Sequence, residues 1–484
     1  MSKNKSHMLR RTKIIATLGP ATDDPKVLEQ IIHEGVDVVR LNFSHDTHEK
    51  HQRRIEAVRE AAVKQDRVIG ILADLQGPKI RISEFKSKKI KLNMGDTFTL
   101  DADLATDAGD EKIVGIDYKE LPHDVRADDV LLLDDGRLKF IVKAVQGSKI
   151  VCYVAVGGEL SNHKGINRQG GGLSAPAMTA KDIEDLKFAL SLNVDYIAIS
   201  FPRHADDVRR AKHLIEAENG TAAVIAKIER TEAVKNIDAV IEGSDGVMVA
   251  RGDLAVEIGD AEVPLVQKDI IHRARSLDKP VIIATQMMES MIHNTVPTRA
   301  EVSDVANAVL DNTDAVMLSA ETAVGDYPVL AVAAMARTCM ASETQPRSHV
   351  SRHRVECRFH RIDEAIAMAT MYTANHLDIQ AIITLTESGA TPLWMSRIRT
   401  AIPIFALSRY QRSLGRMSLY RGVYPIEFDP TKCSRSEVNR KAMEVLEKQG
   451  LLQKGDLVIL TKGDQMGVGG GSNAMKILRV GTVV

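Results

Sequence analysis

Eight short apolar runs punctuate the first two thirds of the chain, and segments with helical spacing follow most of them. The runs begin near Lys13, Val36, Val68, Val194, Ala222, Gly246, Pro280 and Asp314. Runs of this kind are typical of strands buried on both faces of a parallel sheet. The segments between them, such as DPKVLEQIIHEG and EVPLVQKDIIHRARSLD, have the apolar spacing of amphipathic helices. Eight strand-then-helix units predict an α/β protein built on a (β/α)8 TIM barrel.

The spacing of these runs is interrupted once, between the third and the fourth. Successive starts lie 23 to 34 residues apart except for this gap of 126 residues. Between residues 83 and 174 short alternating runs are separated by turn-forming MGD, DDG and QGS sequences, which predicts an inserted small β-barrel domain. Its connections are expected at Gln76–Pro78 and Gly170–Gly172. Since loops after barrel strands lie at the catalytic face, this domain is placed to act as a lid.

The last third of the chain has a different pattern. The polar stretch PRSHVSRHRVE predicts a linker, and helical segments alternate after it with the apolar runs AIITLTES, PIFALS and LVILTKG. This pattern predicts an open carboxyl-terminal α/β domain at 347–484, leaving 1–82 and 175–346 for the barrel. The glycine-rich Gly467–Asn473 is either a plain loop or a phosphate-binding turn.

Composition limits the classes of function. The chain of 484 residues carries 64 Lys plus Arg against 65 Asp plus Glu, so no net field attracts nucleic acid or an anionic membrane. No apolar stretch approaches the roughly 18 residues of a membrane span, and the amino terminus lacks a signal-type segment. The four cysteines form no CxxC pair, which argues against structural zinc and disulfides. We expect a cytoplasmic protein without nucleic-acid or membrane partners.

Polar residues follow the ends of nearly all the predicted barrel strands. In a barrel of this kind the catalytic site lies at the carboxyl ends of the strands, so these side chains should converge on one mouth. They are Arg40, Asn42, Ser44, Asp74, Ser200, Lys227, Glu229, Arg251, Asp253, Thr285, Gln286, Ser319 and Glu321.

Glu229 and Asp253 are the candidate metal ligands. Two carboxylates on adjacent strands suit Mg²⁺, which takes one or two carboxylates together with substrate oxygens. Salt bridges to Lys227 or Arg251 are the alternative. Lys227 and Glu229 are two residues apart and share a strand face, where an ammonium group can stabilise a transferring phosphoryl group or an enolate. An ion pair that caps the barrel is the alternative for Lys227.

Two arginines at the mouth favour a polyanionic substrate. Arg40 and Arg81 carry guanidinium groups, which match phosphate oxygens with paired hydrogen bonds. Lys164, in the HKGIN stretch of the inserted domain, reaches a nucleotide phosphate only if the lid closes. A solvated surface lysine is the alternative for Lys164.

Six strings closely resemble motifs of the pyruvate kinase family in the same order. They are RLNFSH, ADLQGPKIR, AKIER, MVARGDLAVEI, ATQMMESM and PTRAEVSDVANAVLDNTDAVMLSAET. The resemblance covers nearly the whole chain and implies phosphoryl transfer from phosphoenolpyruvate to ADP, giving pyruvate and ATP, the last step of glycolysis. It also implies Mg²⁺ or Mn²⁺ as cofactor, K⁺ in many members, and a homotetramer.

The resemblance also implies a role for each matching residue. Glu229 and Asp253 look like the divalent-metal ligands, and Lys227 looks like the residue that stabilises the transition state. The expected phosphoenolpyruvate site, in which Arg40 and Thr285 also count as catalytic, comprises Arg40, Ser200, Lys227, Gly252, Asp253 and Thr285. The expected nucleotide site comprises Asn42, Phe43, Ser44, His45, Arg81 and Lys164.

One departure from the family pattern concerns K⁺. Members that require K⁺ bind it near positions matching Asn42, Ser44, Asp74 and a threonine, which is replaced here by Leu75. The motif ADLQGPKIR also has Lys79 where those members have glutamate. A built-in ammonium group can replace the monovalent cation electrostatically, so we predict weak or absent K⁺ dependence.

A second departure concerns regulation. The loop LTESGAT resembles the family's sugar-phosphate effector loop, and Thr386, Ser388 and Thr391 are its candidate phosphate ligands. Glu387 adds a negative charge where members regulated by fructose 1,6-bisphosphate have lysine. We therefore expect another sugar phosphate, or AMP, as effector.

Two other classes of function compete with this interpretation. A Mg²⁺-dependent barrel lyase or aldolase acting on pyruvate also needs two carboxylates and an enolate stabiliser, but no nucleotide. A catalytically inactive metabolite sensor needs only binding. The inserted domain with Arg81 and Lys164 favours phosphoryl transfer over the lyase, and intact Lys227, Glu229 and Asp253 argue against the sensor.

Overall fold

The computed structural model describes residues 9–345, 358–464 and 471–482, and within these a parallel sheet of eight strands closes into a barrel. The strands follow one another around the ring in chain order. They are Lys13–Thr17, Val38–Asn42, Gly70–Asp74, Tyr196–Ile199, Ala223–Ile228, Gly246–Ala250, Val281–Ala284 and Ala315–Leu318. Almost every strand residue is buried, because helices cover the outside and side chains fill the inside. The predicted barrel is confirmed.

Helices surround the barrel, and several of their ends have clear causes. The helices are Pro25–Glu34, His48–Lys64, Ala180–Ser191, Ala205–Ala217, Thr231–Lys235, Ile237–Gly243, Arg251–Ile258, Val263–Ser276, Arg299–Leu310, Ala320–Ala323 and Pro328–Glu343. Thr179 with Asp182, and Thr298 with Glu301, form capping boxes that satisfy free amide groups at helix starts. Gly35 ends the first helix at φ 119°, in the left-handed region that glycine adopts without strain.

The segment between the third and fourth barrel strands forms the expected β-domain. Its strands are Lys89–Leu92, Thr97–Asp101, Ile113–Gly115, Val130–Leu133, Leu138–Gln146, Lys149–Val156, Gly158–Ser161 and Ile166–Arg168, with a short helix at Leu121–Asp124. They make a six-stranded and a two-stranded sheet. Single bridges from Arg81 to Gly165 and from Ile82 to Ile116 join the two edges of the larger sheet. The segment that leaves the main barrel therefore bridges both edges of this sheet. The boundaries at 83 and 174 stay predictions.

The carboxyl-terminal part is an open α/β sheet, as predicted. Its described strands are Ala381–Leu385, Ile404–Ser408, Val423–Glu427, Leu457–Gly463 and Ser472–Arg479, and its helices are Ile362–His376, Ala390–Arg397, Gln411–Met417 and Val438–Lys448. The last strand is antiparallel to its neighbour and the other pairs are parallel. The predicted linker and Gly467–Gly470 lie outside the described residues. No helix in the described ranges is both long enough and apolar enough to cross a membrane.

A buried ion pair joins this carboxyl-terminal part to the barrel. Arg397 ends a carboxyl-terminal helix and pairs with both carboxylate oxygens of Asp314, which precedes the eighth barrel strand; both side chains are 1% exposed. Asp314 also accepts hydrogen bonds from the backbone N–H groups of Val281 (3.0 Å) and Arg421 (3.1 Å). One carboxylate therefore ties two barrel strands to the carboxyl-terminal part.

We expect Arg397→Leu to lower the free energy of unfolding by about 3–5 kcal/mol, because the substitution leaves the Asp314 carboxylate buried without its cation. Urea denaturation followed by circular dichroism measures this change. The control is Arg440→Leu, which removes two ion pairs on a helix surface, to Glu437 and Glu444, and should cost less than about 1 kcal/mol. Equal denaturation midpoints for the two variants would show that the buried pair contributes little.

Candidate active site

Lys227 lies at the centre of the barrel mouth. It is the penultimate residue of the fifth strand, and its Nζ is 3.3 Å from Asp74 Oδ1 and 3.0 Å from Glu229 Oε1. The same Nζ donates a hydrogen bond to Ser200 Oγ at 2.7 Å, and that hydroxyl donates to the carbonyl of Leu75. Burial by itself lowers the pKa of Lys227, but the attraction of Asp74 and Glu229 outweighs it and raises the pKa. Lys227 is therefore a fixed cation at neutral pH.

Arg40 reaches the same cluster from the second strand. Its Nε donates to Asp74 Oδ2 at 2.6 Å, and its Nη1 donates to Thr17 Oγ1 at 3.1 Å. Burial opposes ionisation of Asp74, but the charges of Lys227 and Arg40 dominate and lower the pKa of its carboxyl group. Asp74 thus holds two cations side by side at the mouth. Thr17 was missed in the sequence, although it ends the first strand and the same strand-end rule would have found it.

Glu229 and Asp253 fit a divalent cation. Glu229 is almost wholly buried, and its Oε2 accepts the backbone N–H of Phe201 at 2.9 Å. Burial, together with the negative charges of Asp253 and Asp74, raises the pKa of Glu229 despite its contact with Lys227. A bound cation relieves this repulsion.

A pair of carboxylates is a donor set compatible with Mg²⁺ or Mn²⁺. No group of three or more His, Cys, Asp or Glu side chains suited to a metal ion is found in the described residues. A closed zinc site needs about four such ligands, whereas Mg²⁺ keeps waters and substrate oxygens beside one or two carboxylates. Of the two alternative salt-bridge partners, Lys227 does pair with Glu229 at 3.0 Å, whereas Arg251 pairs with Asp304 at 2.6 Å.

Thr285 is held in a strained conformation at the end of the seventh strand. Its φ is 69° and that of Gln286 is 56°, and left-handed backbone in a β-branched residue costs roughly 1–3 kcal/mol. Contacts with Gly252 and Arg251 hold Thr285 in this conformation. Thr285 Oγ1 accepts the backbone N–H of Gly252 at 3.0 Å, and its carbonyl accepts two N–H groups of Arg251. Arg251 therefore positions Thr285, a role that the sequence did not reveal.

The expected nucleotide residues fall into two groups. In the first, the Phe43 side chain is buried and its ring stacks on His51, so only its backbone can face the mouth. Asn42 Oδ1 accepts the backbone N–H of Ser44 at 3.2 Å, and His45 is exposed.

In the second group, Arg81 and Lys164 meet at the base of the inserted domain. Arg81 Nη1 donates to the carbonyl of His163 at 3.0 Å. Lys164 Nζ pairs with Asp134 Oδ1 at 2.7 Å, and the Lys164 side chain is about one-third exposed. Lys164 is therefore paired within its own domain.

Lys79 lies beside Asp253, one of the two candidate metal ligands. Its Nζ is 3.4 Å from Asp253 Oδ1 and 3.9 Å from Asp135 Oδ1. Leu75, which replaces a threonine of the K⁺-requiring members, is buried. The chain therefore carries its own cation next to a candidate metal ligand.

The candidate effector hydroxyls make contacts within the carboxyl-terminal part. Thr386 Oγ1 accepts the N–H of Gly389 at 3.0 Å and Ser388 Oγ accepts that of Ala390 at 3.4 Å. Thr391 is buried and donates to Ser472 Oγ at 2.9 Å. The negative charge of Glu387 is compensated by Arg409, whose Nε is 3.3 Å from Glu387 Oε2.

Comparison with known proteins gives concordant matches along the chain. The model of the pyruvate kinase barrel domain matches residues 9–332, and that of the pyruvate kinase alpha/beta domain matches 364–478. Pyruvate kinase II of Salmonella typhimurium is 54% identical over 479 residues, covering 98% of this chain and 100% of that protein. The Haemophilus influenzae pyruvate kinase is 53% identical over 465 residues, or 95% and 97% of the two chains. The Geobacillus stearothermophilus pyruvate kinase is 42% identical over 475 residues, or 97% and 80%.

We expect Glu229→Gln to weaken Mn²⁺ binding by more than the roughly 10- to 100-fold typical of residues that only support a ligand, because it removes a direct oxygen charge. Electron paramagnetic resonance of free Mn²⁺ gives the dissociation constant. Glu262→Gln, at an exposed position near the same barrel face, is the control. Unchanged affinity in Glu229→Gln would remove this residue from the metal site.

Proposed function

The chain belongs to the pyruvate kinase family, and we propose that Lys227, Arg40 and Thr285, with the carboxylates Glu229 and Asp253, carry out the phosphoryl transfer of that family. The enzyme transfers a phosphoryl group from phosphoenolpyruvate to ADP, giving pyruvate and ATP. Family membership favours this reaction over the lyase and sensor hypotheses. The observation that carries the residue assignment is the ammonium group of Lys227 held between Asp74, Glu229 and Ser200.

The transfer needs positive charge where the reaction develops negative charge. An oxygen of the ADP β-phosphate attacks the phosphorus of phosphoenolpyruvate, and the bond from phosphorus to the enolate oxygen breaks. Lys227 neutralises charge on the transferring group and on the enolate, which is then protonated at carbon to give pyruvate. Arg40, anchored by Asp74 and Thr17, binds the phosphoryl oxygens. Glu229 and Asp253 would hold a divalent cation, which would supply further positive charge to these oxygens.

The remaining polar groups orient the two substrates. Thr285 and the backbone of Gly252 complete the phosphoenolpyruvate site, supported by their mutual hydrogen bond. Ser200 orients Lys227. The stretch from Asn42 to His45, with Arg81 and Lys164, faces ADP or ATP when the inserted domain closes. Closure excludes water, which otherwise hydrolyses the phosphoryl donor.

Regulation and assembly are further parts of the proposal. A sugar phosphate or AMP binds near Thr386, Ser388 and Thr391. The pairing of Glu387 with Arg409 weakens the charge argument against fructose 1,6-bisphosphate, and the buried, engaged hydroxyl of Thr391 makes that residue the weakest candidate ligand.

A homotetramer is supported by apolar surface on the carboxyl-terminal part. Helix Ile362–His376 packs against Ser472–Arg479, the edge strand of the described sheet. Ile362, Tyr372 and Ile477 on these two elements are exposed. Apolar surface beside an open strand edge favours association with another copy. The cytoplasmic location stays a prediction, supported by the free thiols of Cys152, Cys339 and Cys433.

We expect rapid pyruvate formation from phosphoenolpyruvate, ADP and Mg²⁺, and a loss of about 10²–10³-fold or more in kcat for Lys227→Met, because the cation that stabilises developing charge is removed. The assay couples pyruvate to lactate dehydrogenase, and circular dichroism verifies folding. Lys26→Met, at an exposed position on the first barrel helix, is the matched control. Absence of turnover by folded wild-type protein would refute the proposed function.

K⁺ should have little effect on the wild type, because Lys79 supplies a cation beside Asp253. We expect equal rates in potassium and tetramethylammonium salts, and a K⁺ requirement in Lys79→Glu. The assay is the same coupled reaction at constant ionic strength. Strong stimulation of the wild type by K⁺ would contradict the role assigned to Lys79.

A further inference from the structure

The helix that carries Asp253 also supports the base of the inserted domain. Helix Arg251–Ile258 has Asp253 in its first turn and the buried Glu257 in its last. The carbonyl of Glu257 accepts the N–H of Gly170 at 3.1 Å, where the chain returns from the inserted domain. The φ values of Gly170–Gly172 are 79° to 92°, a conformation that favours glycine. The return segment Gly170–Gly172 is therefore hydrogen-bonded directly to the end of helix Arg251–Ile258.

The side chain of Glu257 reaches the segment that carries the other candidate metal ligand. Its Oε2 accepts the backbone N–H of Thr231 at 3.0 Å, two residues after Glu229. Thr231 begins helix Thr231–Lys235, which has no side-chain cap of its own. A carboxylate at this position satisfies a free amide and complements the positive end of the helix. Glu257 therefore serves as the missing cap from a neighbouring helix.

The capped helix in turn contacts the return segment. Glu232 Oε1 accepts the N–H of Gly172, and Arg230 Nη1 donates to the carbonyl of Leu173 at 3.1 Å. A Cβ atom at Gly171 would lie 2.6 Å from Glu232 Oε1, so a side chain there would displace the Glu232 carboxylate from its contact with Gly172. The return segment of the inserted domain thus rests on both ligand-bearing segments, and Glu257 joins the two.

We propose that Glu257 is a positioning residue that couples the base of the inserted domain to the alignment of the metal carboxylates Glu229 and Asp253. This inference rests on the proposed function, which makes those carboxylates the metal ligands. Opening or closing of the domain displaces Gly170–Leu173, and the hydrogen bonds of Glu257 transmit that displacement to both ligands. Substituting a residue that supports a metal ligand without binding the metal typically changes metal affinity by about 10- to 100-fold.

Two substitutions test the coupling from opposite sides of one hydrogen bond. Glu257→Ala removes the acceptor, and Thr231→Pro removes the donor while leaving Glu257 intact. Proline is well tolerated at the first helical position, and the extended backbone of Arg230 (φ −118°, ψ 149°) suits a residue before proline. Thr231→Ala keeps the N–H group and is the matched control. Glu257→Gln keeps the acceptor oxygen and is the rescue variant.

The readouts are the Mn²⁺ dissociation constant, measured by electron paramagnetic resonance, and hydrogen exchange of the Gly172 amide in metal-free enzyme. Glu257→Ala and Thr231→Pro should each raise the dissociation constant roughly 10-fold and speed exchange at Gly172, with first-strand amides unchanged. Glu257→Gln should leave the Mn²⁺ dissociation constant and the exchange rate at Gly172 close to those of the wild type. Glutamine keeps a side-chain oxygen that can accept the Thr231 N–H, so wild-type values in Glu257→Gln would assign the effect to this hydrogen bond and not to the charge of Glu257.

An unchanged Mn²⁺ dissociation constant in folded Thr231→Pro would overturn the proposal, as would unchanged exchange at Gly172. If Glu257→Ala does not fold, Thr231→Pro and Glu257→Gln decide the question. A wild type that forms no pyruvate would refute the proposed function, yet the Gly172 exchange result would stand, so the two failures are distinguishable.

Discussion

The ammonium group of Lys227 contacts two carboxylates, Asp74 and Glu229, whose side chains are each 1% exposed. Burying a carboxylate without a cation costs several kcal/mol, so Lys227, together with Arg40 beside Asp74, stabilises both carboxylates at this position. Asp74 ends the third strand, Lys227 lies near the end of the fifth, and Ser200 follows the fourth between them. The ion cluster therefore ties three neighbouring strands at their carboxyl ends, and the same charges create the chemistry of the mouth.

The barrel and most of its mouth were predictable because two strong regularities coincide. Strands buried on both faces must be apolar throughout, so they stand out as short runs in the sequence. Parallel strands in a closed ring all end on the same side, so residues after each run must meet there. Arg40, Asp74, Ser200, Lys227 and Glu229 do meet in this way. Their roles in catalysis came from the family resemblance, since strand position identifies neighbours and not functions.

The features that could not be predicted are partly exposed strands and side-chain contacts between distant residues. No local sequence pattern encodes either of them. The strands Val423–Glu427 and Ser472–Arg479 are only partly buried, so they lack a continuous apolar run and were missed. Lys164 is paired with Asp134 through a fold contact within the inserted domain. The left-handed conformation of Thr285 contradicts the preference of a β-branched residue, and only the observed contacts with Arg251 and Gly252 explain it.

The contacts that the sequence did not predict share one feature. Each is made by a residue that supports a mouth-facing residue. Thr17 holds Arg40, and Arg251 holds Thr285. Two of the five N–H donors of Arg40 are engaged in this way, which fixes the guanidinium plane before any phosphate arrives. A cation already fixed in place loses less entropy on binding and needs no rearrangement as charge develops. The family motifs therefore specify which groups reach the substrate, while the precision of the site depends on neighbours outside those positions.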